Sequence, residues 1–456
     1  MNIDKTFAYI EQNQQRFLQE LQEFLRFPSV SAQSIHKQDL IDCALWLKGH
    51  LEKIGLEAKL IETAGHPLVR ARGRGTSSRK MLIYGHYDVQ PEDPLDQWRT
   101  PPFEPLVKNG FIYARGATDD KGQLFAHIKA VESLLKTQGR LPCEIVFLIE
   151  GEEESGGSNL ADYIKDHKDD LAENTVGVVV SDSSMYDENT PAVTYSLRGV
   201  VGLELKVTGP QRDVHSGVFG GAVGNPVTVL CQIMARCVGA DGRIKIPGFY
   251  DGVRQLEPWE RDNIEKLAYD DNELVKELKV RQLFGEKGFS TLQRVWARPT
   301  FEINGIYGGY TGEGGKTIIP SSATAKISLR LVPHQDLERI GSSVVEYIKS
   351  ICPEYAGLEF VGPAGAKPVL FDINDPLLKS GCAALQAGFG REAVYIGCGG
   401  SIPVVNTFWQ QLRKPILLMG LGLDSDGAHA PNERFKIDNF VKGAKASAYL
   451  LNNIQS

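Results

Sequence analysis

Three short apolar runs, each leading into acidic residues or histidine, constrain this chain more than anything else in it. "MLIYG", "EIVFLIEG" and "VGVVVSD" show no polar alternation, so each reads as a strand buried on both faces. Between the first two lies "GQLFAHIKAVESLLKTQ", a helical pattern with Ala126, Ala130 and Leu134 on its inner side. This strand–helix–strand rhythm predicts an α/β fold, a mainly parallel sheet with helices on both faces. The carboxyl ends of parallel strands share one edge, and α/β folds place their sites there.

At 456 residues the chain exceeds one ordinary core, so more than one domain is expected. The texture changes near position 199. "AVTYSLRGVVGLELKVTG", "PTFEINGIYGG" and "SATAKISLRLVP" alternate apolar with polar residues, as strands with one wet face do. "FDINDPLLKSGCAALQAGFG", "KPILLMGLG" and "NFVKGAKASAYLLNN" then return to the α/β style. The economical division is a larger domain of residues 1–198 and 371–456, with an inserted α+β domain of residues 199–370. At the N-terminus, Phe17, Leu21, Phe24 and Leu25 fall at helical spacing and predict an amphipathic helix packed on the body.

The strand ends carry the chemistry. His86 and Asp88 follow the first, Asp119 and Asp120 precede a helix, Glu152, Glu153 and Glu154 follow the next strand, and Asp182 follows another. Each alone has an ordinary reading: an Asx-type turn, a helix cap, a solvated loop. Together on one sheet edge they form a cluster of carboxylates whose mutual repulsion calls for cations. Imidazole with carboxylate oxygens, and no thiolate, suits zinc, with manganese or cobalt as alternatives. With Asp119, Glu154, Asp182 and two histidines as ligands, two divalent ions leave one positive charge for a hydroxide to balance, whereas one ion leaves the site negative. Along an extended segment Asp88 falls on the same side as His86, where its carboxylate can hold one ring N–H while Tyr87 points away.

Charge and cysteine usage exclude other classes. A net charge of −7 with interspersed signs argues against nucleic acid or an anionic membrane as the partner. Seven scattered cysteines without a CxxC argue against a disulfide framework and point to a reducing cytoplasm. "GGYTGEGGKT" is not a P-loop, because the position four residues before Gly315-Lys316-Thr317 must be preceded by glycine and position 310 is tyrosine. "GVFGGAVG" lacks the Gly-x-Gly of a dinucleotide site.

"GHYDVQP", "ARGATDDKG", "EGEEESGG", "SDSS", "DVHSGVFGG" and "GAHAPNER" occur in an order that resembles the dinuclear-zinc metallopeptidases. That family contains carnosinase, cytosolic nonspecific dipeptidase, succinyl-diaminopimelate desuccinylase and acetylornithine deacetylase. The resemblance runs from "FLRFPSVSA" almost to the C-terminus. It implies that His86 and Asp182 hold one metal, that Glu154 and His429 hold the other, and that Asp119 bridges them. It further implies a cis peptide between Asp119 and Asp120, Asp88 as the residue orienting His86, and Glu153 as the base that activates a metal-bridging water. Glu153 and Glu154 divide these tasks because their side chains diverge in an extended turn.

His215, in the inserted domain, matches a histidine that reaches the partner subunit's site in dimeric relatives, so a homodimer is implied. "IKIPGFYDGV", "RPTFEINGIYGGYTGEGGKTIIP" and "AKISLRLVP" resemble the carnosinase and nonspecific-dipeptidase branch. By that likeness the inserted domain is a lid and dimerisation domain, Arg330 binds the substrate's C-terminal carboxylate, and Thr317 and Ser401 add polar contacts. Ser321 and Ser322 stand where relatives often carry basic residues. The expected reaction is hydrolysis of dipeptides or small peptides; N-acyl amino acid deacylation is the alternative, and a non-catalytic scaffold is disfavoured because Glu153 is retained.

Overall fold

Residues 3–454 are described by the computed structural model. The chain divides into two compact units, one of Met1–Tyr195, Phe371–Ile396 and Val404–Ser456, the other of Ser196–Leu370 and Gly397–Pro403. The short segment Gly397–Pro403 thus groups with the middle of the chain, not with the C-terminal stretch that surrounds it in sequence.

The first unit is built on the expected sheet. Lys80–His86 lies between Glu144–Glu150 and Thr175–Val180, parallel to both, and Ile416–Leu418 runs parallel to Thr175–Val180. Antiparallel strands flank this centre: Leu68–Gly73 and then Glu57–Ile61 on one side, Ala192–Leu197 on the other. All seven positions of Lys80–His86 are buried, as covering helices on both faces require. The helix Lys121–Gln138 buries Ala126, Ala130 and Leu134. The helix Ile3–Leu25 buries Phe17, Leu21, Phe24 and Leu25.

One run differs from its expected form. "AVTYSLRGVVGLELKVTG" is two strands: Ala192–Leu197, buried at every position in the first sheet, and Gly199–Thr208, which alternates buried with half-exposed positions in another sheet. Arg198 is the single residue between them.

In the second unit the strand order is Thr300–Gly308, Ser322–Leu331, Gly199–Thr208, Gly357–Ala366, antiparallel throughout. The helices Pro226–Cys237 and Leu337–Ile351 bury Val229, Ile233, Val344 and Ile348 against Val201, Leu203, Leu205 and Ile327. Thr300–Gly308 departs from clean alternation because it is an edge strand with a bulge between Ile303 and Gly305.

Candidate metal centre

The site of the first unit grows from the strand ends. Lys80–His86 delivers His86, fully buried, to the carboxyl edge of the sheet. Gly85 precedes it because the chain passes close to the Asp119–Asp120 loop: a Cβ there would meet Asp120 Oδ2 at 2.8 Å and Leu124 Cδ1 at 2.9 Å. The Asp119–Asp120 peptide is cis, and Asp120 Oδ2 accepts the His86 backbone N–H at 3.3 Å.

Asp119 sits at the middle of the cluster, with its two oxygens facing opposite ways. Oδ1 lies 3.1 Å from His86 Nε2, and Oδ2 lies 3.0 Å from His429 Nε2. His429 Nε2 is also 3.3 Å from Glu154 Oε2. Ligand atoms of His86, Asp119 and Asp182 fall within 4.8 Å of one another, and so do those of Asp119, Glu154 and His429. The two groups share Asp119. His429 adopts φ 61°, a left-handed conformation that a histidine takes at a cost, so the loop presents it there against local preference.

Two expectations change in detail. His86 Nδ1 is nearest the backbone carbonyl of Asp88, at 3.1 Å, with the Asp88 carboxylate at 3.4 Å. The carboxylate is drawn aside because Oδ2 accepts from Ser31 Oγ at 2.6 Å and from the Glu154 backbone N–H at 3.1 Å. Asp88 therefore orients the loop of Glu154 as well as the region of His86. Tyr87 does point away, donating to the Pro67 carbonyl at 2.8 Å. The second change is at Glu153–Ser155, which form a 3-10 turn instead of an extended one. Successive side chains in such a turn are ~120° apart, so Glu153 and Glu154 still diverge.

Electrostatics state what the cluster lacks. Burial, then the charge of Asp119, raises the Asp182 carboxyl to about 7, and burial, then the charge of Asp182, raises Glu153 to about 8. Hydrogen bonds to Asp119 and Glu154 raise His429 to about 10. Burial works to raise Asp119, but bonds from His429 and His86 outweigh it and hold that carboxyl well below the usual range. The two imidazoles thus act as the cations the carboxylates demand. Divalent ions satisfy that demand better and leave the imidazole nitrogens free to ligate, so the donor set fits a pair of them.

A third group at metal-like spacing, Glu20, His50 and Glu132, already holds a cation. Lys129 Nζ lies 2.6 Å from Glu20, 2.8 Å from Glu132 and 2.8 Å from His50 Nε2.

Sequence reasoning missed the residues that fasten the ligand loops together. Glu433 is fully buried and pairs with Arg115 at 2.8 Å. Its carboxylate also accepts the backbone N–H groups of Gly116, Thr118 and Asp119 at 2.9, 2.8 and 3.1 Å. Arg115 in turn donates to the Pro91 carbonyl at 3.1 Å. One buried pair therefore ties the segments of His86, Asp119 and His429. The available signal was a charged residue in each of two motifs already singled out, "ARGATDD" and "GAHAPNER".

The remaining expected residues lie in the second unit. Arg330 Nη1 donates to Ser401 Oγ at 3.2 Å. His215 pairs with Ile318 in a two-stranded ladder, beside Thr317, whose carbonyl accepts the Ser216 N–H at 3.0 Å. His215 is exposed, and its Nδ1 accepts the Gly217 N–H at 2.9 Å.

A mixed sheet whose parallel central strands gather two histidines and several carboxylates around one aspartate at their carboxyl edge defines a metallohydrolase. Residues 82–453 match the peptidase family M20/M25/M40, and the chain belongs to that family. It is 33% identical over 460 residues to the Cys-Gly metallodipeptidase dug1 of Schizosaccharomyces pombe (98% of this chain, 97% of that protein). It is 29% identical over 463 residues to the Beta-Ala-His dipeptidase of Homo sapiens (98% of this chain, 91% of that one). The crystal structure of human carnosine dipeptidase 1 superposes with a TM-score of 0.86 at 29% identity, covering 99% of this chain and 98% of that one. The protein is accordingly a metal-dependent peptidase.

Proposed function

We propose that the protein is a dipeptidase that uses two divalent ions, zinc foremost, held by His86, Asp119, Asp182, Glu154 and His429. The observation that supports this most is the placing of the two Asp119 oxygens on opposite sides, 3.1 Å from His86 and 3.0 Å from His429. The relatives' activities, Cys-Gly and Beta-Ala-His dipeptidase, support dipeptides as the substrate class.

Bound there, the ions supply a Lewis acid for the scissile carbonyl and lower the pKa of a water from ~15.7 toward ~7. Glu153 takes that water's proton as the oxygen bonds to the carbonyl carbon, then gives it to the amine nitrogen as the C–N bond breaks. Asp88 keeps the His86 and Glu154 segments in register through its bonds to Ser31 and the Glu154 N–H. Arg330 reads the substrate's C-terminal carboxylate, with Thr317 and Ser401 as smaller polar contacts. The protein acts as a homodimer in which the partner subunit's His215 stabilises the tetrahedral oxyanion. The seven cysteines, none of them in a disulfide among the described residues, support a reducing compartment, the cytoplasm.

Rates for Cys-Gly, β-alanyl-histidine, other dipeptides, and N-acetyl and N-succinyl amino acids, ranked with the metal-reconstituted protein, test the reading. Dipeptides should lead. Faster turnover of the N-acyl amino acids would replace dipeptidase by deacylase. For the dimer, mixing His215→Ala with Glu153→Ala protein should restore activity through hybrids; none despite subunit exchange would remove His215 from the mechanism.

A further inference from the structure

In the second unit Arg198 and Arg330 approach each other at one serine. Val200 stands directly opposite Arg330 in the antiparallel register, and Arg198 is two positions before Val200. Ser401 links the pair: its Oγ donates to the Arg198 carbonyl at 2.5 Å and accepts from Arg330 Nη1 at 3.2 Å.

Arg198 has no obvious reason to be there as a structural ion pair. It is 9% exposed, and its side chain donates only to carbonyls, of Gly399 at 2.9 Å and of Arg298 at 3.4 Å. Among the described residues neither Arg198 nor Arg330 has an ion-pair partner. The nearby Arg298 has taken Glu286, at 2.7 and 2.9 Å. Glu302 has only the weakest influence on Arg198, whose own pKa falls to about 10 through burial first and the charge of Arg330 second. Arg198 lines a cavity of about 250 Å³ whose wall also holds Glu286, Arg294, Arg298, Thr300 and Glu302. A buried cation without a counter-ion is costly, and a second cation beside it adds to the cost. An anion bound at Arg330 lowers both penalties.

We propose that Arg198 is a specificity-determining residue, which with Arg330 forms a two-cation subsite that accepts a substrate only when its C-terminal group is an ionised carboxylate. This rests on Arg330 reading that carboxylate. Arg198 need not touch the substrate: its charge raises the potential at Arg330, so binding weakens without it while the chemical step does not.

The test compares a dipeptide with its C-terminal amide on the metal-loaded protein. Arg198→Gln keeps a donor for the Gly399 carbonyl and removes the charge; Arg198→Lys keeps the charge. Arg198→Gln should raise KM for the free acid roughly 10- to 100-fold with kcat changed less than about threefold, and shrink the acid-over-amide preference by the same factor. Arg198→Lys should stay within about threefold of the unsubstituted protein on both counts. An unchanged preference in Arg198→Gln, or equal damage in both variants, overturns the proposal. Should the Gln form not fold, Arg198→Met takes its place, and an unchanged acid-over-amide preference there overturns the proposal. Arg330→Met, run beside them, separates the two readings. If it keeps the acid preference, the carboxylate reading of Arg330 falls and this proposal with it; if it loses the preference, the Arg198 result stands on its own.

Discussion

Glu433 holds the backbone N–H of Asp119 at 3.1 Å, although the two are separated by 314 positions. The same carboxylate carries Arg115 and two further N–H groups, four residues beyond His429. A candidate bridging carboxylate and a candidate terminal imidazole thus share one anchor. Glu433→Gln puts an amide NH2 among donors that need an acceptor, so the loops must separate. Zinc affinity should fall by about 10- to 100-fold, as it does when the supports of ligands are removed. Chelator competition against the unsubstituted protein measures it. Equal affinities would mean that the ligand loops hold their spacing without this pair.

Glu153 and Glu154 are neighbours with different tasks, and substitution should separate them. Glu153→Ala should lower kcat by at least about 100-fold and leave metal content at that of the unsubstituted protein. Glu154→Ala should lower metal content as well. Metal analysis beside steady-state rates checks both. A Glu153→Ala protein that has lost metal would make Glu153 a ligand.

These contrasts also mark how far the sequence could be read. The central strands and their acids were visible because an unbroken apolar run has one structural use and parallel strands end on one edge. Asp119, Glu154, Asp182 and His86 were found by that route, and His429 came through a motif likeness. Glu433 and Arg115 stayed hidden because their meaning lies in a buried pair 318 positions apart, which no local pattern encodes. Arg198 escaped for another reason. It sits where one alternating run passes between two sheets, and a polar residue there looks like any other wet-face position. The carbonyl that displaced the Asp88 carboxylate from His86 depends on Ser31, over fifty positions upstream, which competes for that carboxylate.

Lys129 offers a stability test away from the site. Its ammonium is fully buried and joins Glu20 on the helix Ile3–Leu25, His50 on the helix Lys37–Lys53 and Glu132 on its own helix. Arg16 also reaches Glu20 and Glu132, at 3.0 and 2.6 Å, but from a more exposed position. Lys129→Met fills the same space and leaves two buried carboxylates with less positive charge than they need. The loss should be about 3–5 kcal/mol, the usual effect of breaking a buried pair from one side. Chemical denaturation measures it, and Lys129→Met with Glu132→Leu should recover part of the loss, since an apolar pair needs no compensation.

His127 makes the pH dependence of stability predictable in sign. It is fully buried between Ser181 Oγ at 2.6 Å and Ser447 Oγ at 2.8 Å, and burial lowers its pKa to about 4. In the unfolded chain the imidazole returns to ~6.5. Between these values the unfolded state binds the proton and the folded state refuses it, so stability is lost as pH falls from ~6.5 toward 4 and levels off below. At pH ~5 this one group removes about 2 kcal/mol relative to neutral pH. His50, also lowered to about 4 by burial and then by Lys129, adds in the same direction. His127→Gln keeps polar contact with both serines and cannot titrate. It should be less stable than the unsubstituted protein at pH 7, yet lose about 2 kcal/mol less on going to pH ~5. Urea titrations of both proteins at the two pH values give the difference of differences, in which the carboxylates common to both cancel. Equal acid sensitivity in the two proteins would show that His127 is protonated in the fold.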